Sequence, residues 1–412
     1  TIFYTALYHT LIHPNTLNDF NGEYPSMATR ETLKTDGTRF TVFSFWDTYR
    51  NLHALMSLVY PDQQSNMVKS MLSIYDESGW LPKWELNATE TTTMVGDPAG
   101  IVLADTYLKG IKDFDIEKAY EAMRKSATQL ENNPLRPGIK EYLSNGFLTT
   151  KNAGSVSTTQ EYNISDYCIA LLAKELGKKE DYKLFSKQST TYRNLYDKNL
   201  KLLRPRNPDG SWYEPFDPLA GANFTENIGF IEGNAWQYAF MVSHDTKGLM
   251  KLMGGKENFT KQLQKVFDAN QFDMANEPDI GYPYLFNYAK GQEWRSQNMV
   301  RELVNKYFKN TPDGLPGNDD TGTMSAWLIY SMMGIYPISP GEPFYTITAP
   351  MFDKVTIKLD ESYYKGTELI ITRKGKIDGK INKIKVNGKT HKSYFIDHSD
   401  LVNGASLNID LK

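Results

Sequence analysis

The sequence has almost no cysteine, since Cys168 is the only one in 412 residues. One thiol cannot build a disulfide framework or a cysteine metal site, and its place in the apolar run 167–172 favours burial in a helix. No apolar stretch reaches the roughly 18 residues that a membrane-spanning helix needs, and the N-terminus carries no signal-peptide pattern. The sequence therefore predicts neither a disulfide-stabilised domain nor a membrane span.

An excess of charge of one sign is also lacking. The formal net charge is -3, which argues against nucleic acid or an anionic membrane as the main partner. The sequence contains no phosphate-binding loop, no Gly-x-Ser-x-Gly elbow and no His-Glu-x-x-His helix. Nucleotide chemistry and serine or zinc hydrolysis therefore lose their usual sequence support.

Aromatic residues are abundant, at 13% of the chain, and many stand beside polar residues in loop-like stretches. Carbohydrate sites combine an aromatic face for the apolar side of a sugar ring with polar groups for its hydroxyls. For any single aromatic residue a place in the core is the commoner role. The composition therefore permits a sugar site without requiring one.

From about residue 45 to about residue 336 the apolar residues recur at helical spacing, which predicts ten to twelve paired helices. We expect Asp115 to cap a helix that begins at Ile116, and Gly177 to end another. Other helices are predicted at 47–59, 62–75, 98–109, 181–196, 233–242, 257–268, 294–308 and 321–333. The pattern then changes to alternation, at 355–359, 384–386 and 407–411, which is typical of strands. We therefore expect a mostly α domain over 1–340, with an N-terminal lead-in, and a small β-sandwich-like subdomain over 341–412.

Paired carboxylates are the simplest machinery left, and glycosidic bonds are cleaved by such pairs. Glu232 is predicted to open a helix among glycine and aromatic residues, where apolar neighbours would raise its pKa and keep it protonated as a general acid. Asp319 and Asp320 precede an apolar helix, whose N-terminal dipole favours ionised carboxylates and suits a general base. Taken alone, the acidic pair fits plain helix capping equally well, and Glu232 fits an ordinary surface glutamate better.

Short motifs along nearly the whole chain resemble glycoside hydrolase family 92, the calcium-dependent, inverting exo-α-mannosidases. The matching stretches are 45–50 (FWDTYR), 79–84, 94–97, 232–238, 276–278, 284–288, 317–327 and 334–337 with 340–341. The resemblance implies an (α/α)6 toroid preceded by an N-terminal β-sandwich domain. We expect that domain to be missing from this chain, or to be a separate chain, so some sugar contacts would lie outside it.

The resemblance also implies roles for individual residues. Glu232 is similar to the family's general acid and Asp320 to its general base, with Asp319 helping to hold the attacking water; the reverse order of the two aspartates stays open. In an inverting enzyme the acid and base carboxyls stand about 6.5–9.5 Å apart, leaving room for water. Trp46, Asp47 and Asp97 resemble the residues that hold the terminal mannose, as does Trp84, and Arg50 could support one of the carboxylates. The alternative for each is a buried, hydrogen-bonded structural role.

Calcium in this family contacts the 2- and 3-hydroxyls of the mannose. A hard cation takes oxygen ligands, so the candidates are Gln237, Asn276 and Glu277, with carbonyls and waters completing the shell. Alternatively, 276–278 only shapes a turn, or Glu277 touches the leaving group as a substrate-binding residue.

Departures from the family pattern leave the linkage preference open. The chain has Gly322-Thr323-Met324 where many relatives have Gln, and Asn276-Glu277 where α-1,2-specific members tend to have His-Glu. His9 and His13 fit structural and functional roles equally well. We expect a bacterial exo-α-mannosidase that acts on mannose-containing glycans in the periplasm, at the cell surface or outside the cell. The alternatives are another (α/α)6 glycosidase, for example one acting on glucosides, and a catalytically silent glycan-binding module.

Overall fold

The protein is mostly α-helical with a C-terminal sheet region, as predicted. A computed structural model describes residues 1–221 and 227–412. The helices are α1 (Ile2–His9), α2 (Phe45–Thr48), α3 (Leu52–Val59), α4 (Pro61–Ser78), α5 (Ala99–Leu108), α6 (Ile116–Thr128), α7 (Ile139–Asn145), α8 (Ser155–Glu175), α9 (Lys179–Gln188), α10 (Thr246–Leu252), α11 (Lys256–Asp268), α12 (Glu293–Tyr307), α13 (Thr323–Met333) and α14 (His398–Val402). None of the helices in the described ranges combines the length and apolarity needed to cross a bilayer.

The strands are short in the first half of the chain and longer near its end. They are β1 (Asn15–Thr16), β2 (Glu23–Pro25), β3 (Thr32–Lys34), β4 (Phe40–Thr41), β5 (Phe43–Ser44), β6 (Trp84–Glu85), β7 (Tyr196–Asp197), β8 (Leu202–Leu203), β9 (Ile335–Tyr336), β10 (Phe344–Ile347), β11 (Lys354–Lys358), β12 (Glu368–Lys374), β13 (Ile381–Val386), β14 (Lys389–His391), β15 (Phe395–Asp397) and β16 (Ser406–Leu411). In the ranges that the structure describes, 3-10 helices lie at 191–195, 243–245, 277–279 and 282–288.

Local sequence signals account for several of the helix bounds. The Asp115 carboxylate accepts the backbone N–H of Lys118 at 3.0 Å, which caps α6 as predicted. Gly177 adopts a left-handed conformation, with φ 71, directly after α8. Between residues 45 and 336 the described part of the chain carries twelve α-helices, in agreement with the periodicity.

The prediction of a helix over 233–242 is wrong, because this stretch forms a series of turns. The side chain of Asn234 accepts the backbone N–H groups of Trp236 and Gln237, and Gln237 Oε1 accepts the N–H of Asn234 at 2.9 Å. Such local bonds compete with the helical ladder, and apolar spacing does not reveal them. Glu232 therefore does not open a helix. Two other predicted helices, 47–59 and 181–196, are interrupted, by residues 49–51 and 189–190.

Helix contacts run in a closed cycle. Starting from α13, the contacts run to α3, from α3 to α5 and from α5 to α8. The Gln160 side chain of α8 donates to the carbonyls of Tyr238 and Met241, which ties α8 to the 235–240 turns. The segment around Ile280 contacts α13, because the indole N–H of Trp327 in α13 donates to the carbonyl of Ile280 at 2.8 Å.

Each member of this cycle carries a second helix. α1 packs on α13, α4 on α3, α6 on α5 and α9 on α8, while α12 packs on the 3-10 helix at 282–288. Phe259 of α11 makes an edge contact with Phe240, at 5.2 Å between ring centroids, beside the 235–240 turns. The cycle thus includes the turns after Glu232, helix α13 and the segment around Ile280.

The C-terminal region contains a five-stranded sheet in the order β11-β12-β16-β13-β14, in which β12 and β16 run parallel and the other pairs antiparallel. Asn387 and Gly388, with φ 50 and 78, form the tight turn between β13 and β14. A second small sheet pairs β10 with β9 and β15. The predicted strands are confirmed here, whereas the domain boundary at 341 stays a prediction.

Candidate active site

Four carboxyl groups from distant parts of the chain meet in one place. Burial and the charges of Asp320 and Glu232 raise the pKa of Asp47 well above its ordinary value. Burial and the charges of Asp47 and Asp320 do the same to the pKa of Glu277. We refer to Asp47, Glu232, Glu277 and Asp320 as the carboxylate cluster. Such mutual repulsion requires close approach within a poorly solvated region.

The two carboxylates predicted to act as acid and base share an unusual backbone conformation. Glu232 and Asp320 are both left-handed, with φ 50 and 47, and Thr321 follows with φ 53. Residues other than glycine rarely adopt this region, and where the surrounding structure enforces it, the site is often functional. The enforcing contacts at Glu232 include the Asn276 amide, which donates to the Glu232 carbonyl at 2.5 Å, and the Tyr238 hydroxyl, which donates to the Ile231 carbonyl.

The pKa values of Glu232 and Asp320 are both raised by burial, but the other contributions to them differ. Burial, and then the charge of Asp320, raise the pKa of Glu232, as apolar surroundings were expected to do. Burial also raises the pKa of Asp320, although a hydrogen bond with Glu277 lowers it. The sequence predicted that the dipole of the following helix favours the ionised forms of Asp319 and Asp320, and burial acts in the opposite direction by raising the pKa of both carboxyls. The side chain of Asp319 accepts the Ser325 N–H of α13 at 2.8 Å, whereas Asp320 contacts α13 through its carbonyl, which accepts the Thr323 N–H at 3.2 Å.

Arg50 supplies a positive charge beside the carboxylate cluster, where it lowers the pKa of Asp47 and of Glu277. Its guanidinium carbon lies 4.7 Å from the ring centroids of both Trp46 and Tyr49, and Arg50 and Glu277 line the same small cavity of about 50 Å³. Trp46 is buried, and the Arg50 guanidinium lies over its ring.

Glu161 is a residue of this site that the sequence reasoning missed. Its carboxylate accepts from Arg50 Nη2 and from the Tyr49 hydroxyl, both at 2.9 Å, and it is 1% exposed. The available signal was α8 itself, since residues 155–166 are largely polar yet almost all buried. A helix buried on all sides despite polar residues must satisfy them internally.

The predicted metal ligands lie next to the carboxylate cluster, and their oxygens are partly engaged. Gln237 Oε1 accepts from the Asn234 N–H, and Asn276 Oδ1 accepts from the Glu277 N–H at 3.1 Å. Each amide oxygen keeps a second lone pair, and Glu277 Oε1 is buried without a hydrogen-bond partner. Within 1–221 and 227–412 no three His, Cys, Asp or Glu side chains form a metal-holding group by themselves.

Three of the predicted sugar-binding residues carry a buried polar atom that no described protein group satisfies. These atoms are Trp46 Nε1, Asp97 Oδ1 and Glu277 Oε1. Asp97 Oδ2, by contrast, accepts from Arg136 and Ser126, both at 2.8 Å, and so belongs to a separate ion network. Because buried polar groups almost always find a partner, the three open atoms call for a ligand, an ion or water.

Trp84 and His9 border the site from other elements. Trp84 is partly exposed in β6 and pairs across the strands with Ser44, whose hydroxyl donates to Asp47. His9 Nδ1 lies 3.9 Å from Asp319 Oδ2, although the two residues are at opposite ends of the chain. The structure thus brings nearly all the predicted residues to one region and sets Asp97 in a neighbouring network.

The chain matches a known family and solved structures over its whole length. The model of the Glycosyl hydrolase family 92 catalytic domain matches residues 1–412. A family GH92 α-mannosidase, BT3965 from Bacteroides thetaiotaomicron, solved in complex with mannoimidazole, is 34% identical with a TM-score of 0.92. The family GH92 inverting mannosidase BT2199 from the same organism is 29% identical with a TM-score of 0.91. Both alignments cover 100% of this chain.

A curated relative, described as an uncharacterized secreted glycosidase of Arthroderma benhamiae, is 27% identical over 99% of this chain. The chain spans 52% of that relative, 56% of BT3965 and 59% of BT2199. The family match extends over every element that contributes to the carboxylate cluster. These 412 residues therefore belong to glycosyl hydrolase family 92 and carry its catalytic domain.

Proposed function

We propose that the chain forms the catalytic region of an exo-acting α-mannosidase, which hydrolyses terminal α-linked mannose from glycans with inversion. The observation that carries the proposal is the carboxylate cluster. Although Glu232 and Asp320 are 88 positions apart in the sequence, the charge of Asp320 raises the pKa of Glu232, and both charges raise the pKa of Asp47. The mannosidase titles of BT3965 and BT2199 support the choice of sugar. Because the Arthroderma benhamiae relative is described as secreted, we propose export to the periplasm, cell surface or medium.

Each carboxyl has a role that its environment supports. Glu232 has a raised pKa, so it holds the proton that the departing glycosidic oxygen needs. Asp320 takes the proton of the attacking water, and Asp319, anchored by the Ser325 N–H, helps to hold that water. Inversion requires about 6.5–9.5 Å between the two acting carboxyls, which admits the water.

The sugar contacts follow from the open polar atoms. Trp46 Nε1 donates to a hydroxyl, while Asp97 Oδ1 and Glu277 Oε1 accept from hydroxyls or face a cation. Asp47 completes the polar side, and Trp84 offers its partly exposed ring to an apolar sugar face. These contacts satisfy atoms that are buried and unpaired in the protein alone.

We propose calcium as the cofactor, because the carboxylate cluster brings several negative charges together. Arg50 offsets these charges only in part, since it also forms an ion pair with Glu161. Glu277, Asn276 and Gln237 would supply oxygen ligands, with carbonyls and waters completing the shell. A bound calcium ion would contact the 2- and 3-hydroxyls of mannose and favour its distorted ring.

The closed cycle of helix contacts supports an (α/α)6 architecture. Its inner members would be α13, α3, α5, α8, the turns at 235–240 and the 3-10 helix at 282–288. The outer members would be α1, α4, α6, α9, α11 and α12, one packed on each inner member. In this arrangement turns replace a helix at the fifth inner position, next to Glu232.

The test is hydrolysis of α-1,2, α-1,3, α-1,4 and α-1,6 mannobioses by the natural protein that carries these residues, with and without a calcium chelator. Proton NMR of the first product should show β-mannose, because inversion changes the anomer. Glu232→Gln and Asp320→Asn should each lower the rate by about 10²–10⁴, while Glu257→Gln, whose side chain is 85% exposed, should not. Release of glucose from α-glucosides alone, or mannose binding without any release, would replace the proposal with one of its two alternatives.

A further inference from the structure

The C-terminal end of α1 lies directly against the acidic turn, which we define as residues 319–322. α1 packs on α13, and this contact places His9 next to residues more than 300 positions away. His9 Nδ1 lies 3.3 Å from the Ser325 hydroxyl and 3.9 Å from Asp319 Oδ2. Ser325 also gives its backbone N–H to Asp319 Oδ1 at 2.8 Å, so His9 and Ser325 together bracket one carboxylate.

The backbone of α1's last turn makes a second contact with the acidic turn. A Cβ on Gly322 would lie 3.1 Å from Thr10 Cα and 3.6 Å from the His9 carbonyl oxygen. The absence of a side chain at Gly322 therefore allows residues 9 and 10 to approach the turn. This contact is independent of the His9 imidazole, so two separate observations join α1 to the acidic turn.

The acidic turn needs such support because its backbone is unfavourable. Asp320, Thr321 and Gly322 are three consecutive left-handed residues, with φ 47, 53 and 98. Only glycine adopts this region without cost, and strained residues persist where neighbouring structure over-determines them. Gly322 and Met324 donate their N–H groups to the Asp319 carbonyl, and the Thr323 N–H and the Thr321 hydroxyl donate to the Asp320 carbonyl. The contacts with α1 add a restraint from outside the turn.

The electrostatic surroundings of Asp319 also connect it to the N-terminal lead-in. Burial raises the pKa of Asp319, while Ser325 and the charges of His9 and His13 lower it. Both histidines of the N-terminal lead-in therefore face Asp319, and Asp320 is the other charged group beside it. Lys309 lines the same cavity as His9 and Ser325.

We propose that His9 is a positioning residue of the active site, which holds Asp319 and the acidic turn so that Asp320 meets the attacking water. The proposal rests on the proposed function for the chemistry, and on the contacts above for the geometry. It gives the N-terminal helix a role in catalysis although none of its side chains touches the sugar.

The test uses three substitutions of His9, which separate the position of the polar group from the size of the side chain. Asparagine places its amide where the imidazole Nδ1 lies, glutamine places it further out, and alanine removes the group. We expect His9→Ala and His9→Gln to lower kcat on mannobiose about tenfold, because a small misplacement of a catalytic group is costly, with KM changed less than about twofold since no sugar contact is lost. His9→Asn should keep most of the wild-type kcat. His391→Gln, a histidine in β14, is the matched control.

Hydrogen–deuterium exchange of the peptide covering 319–325 supplies a readout that does not depend on the substrate. We expect faster exchange in His9→Ala and His9→Gln, and wild-type protection in His9→Asn and His391→Gln. Equal protection in all four variants would overturn the inference. So would an alanine variant with wild-type kcat, or an asparagine variant that falls as far as alanine. A wild-type protein inactive on every mannoside would instead overturn the proposed function, while the exchange result would still decide the role of His9.

Discussion

The contact between Arg50 and Glu161 should be one of the strongest single interactions in the protein. Replacing Arg50 with Met keeps an unbranched apolar stem but removes a guanidinium that donates to Glu161 at 2.9 Å and lies over two aromatic rings. Glu161 is 1% exposed, so the variant leaves a buried carboxylate with the Tyr49 hydroxyl as its remaining partner. Breaking such a pair from one side costs about 3–5 kcal/mol.

A double-mutant cycle isolates the part of this free energy that comes from the interaction between Arg50 and Glu161. Arg50→Met, Glu161→Gln and the double variant are unfolded in urea at pH 7, and we expect a coupling free energy of about 2 kcal/mol. The loss in Arg50→Met should shrink at pH 5, because burial raises the pKa of Glu161 and a proton then neutralises the unpaired group.

The exposed pair Lys112–Glu175 provides the control, with an N–O distance of 3.6 Å and side chains 52% and 49% exposed. The same cycle there should give less than about 1 kcal/mol. Additive losses at Arg50 and Glu161, or equal coupling in the two pairs, would refute the reasoning that burial makes this ion pair strong.

Three further predictions concern stability. Burial lowers the pKa of His53 to about 4. The contribution of the neutral side chain to the free energy of unfolding is therefore present above the unfolded pKa of about 6.5 and is lost as the pH falls towards 4. The melting temperature of His53→Gln should fall less between pH 7 and pH 4.5 than that of the wild type. Calcium at a hundred times its Kd should stabilise the protein by about 2.7 kcal/mol, and Glu277→Gln should abolish the difference between melting in calcium and in chelator. Gly322→Ala should lower the urea midpoint more than Gly177→Ala, because both positions are left-handed but a Cβ at Gly177 meets nothing within 4 Å; equal midpoints would contradict the contact with α1.

The sequence predicted those parts of the fold that depend on local patterns. Apolar periodicity located α6, α11, α12 and α13 closely, and apolar alternation located β11, β13 and β16. It failed at 233–242, where the side chains of Asn234 and Gln237 bond to nearby backbone N–H groups. Periodicity measures which face is apolar, and it carries no information about bonds of this kind.

The site was less accessible to sequence reasoning, because its contacts join distant segments. Arg50 and Glu161 are 111 positions apart, and His9 and Ser325 are 316 apart. The residue types alone favoured an ordinary surface role for Glu232 and fitted helix capping and a functional role of the acidic pair equally well. Resemblance to a family supplied their roles, and folding then brought Asp47, Glu232, Glu277 and Asp320 into one cluster, while Glu161 and His9, which no motif marked, emerged only from the structure.

The most direct test of the separate acid and base compares two substrates with different needs. α-Mannosyl fluoride has a leaving group that departs without a proton, whereas a mannobiose needs one. Glu232→Gln should hydrolyse the fluoride within about tenfold of the wild type while losing about 10²–10⁴ on mannobiose, and Asp320→Asn should lose comparably on both. Equal losses on the two substrates in Glu232→Gln, or an Asp320→Asn variant that cleaves mannobiose at the wild-type rate, would contradict the assignment.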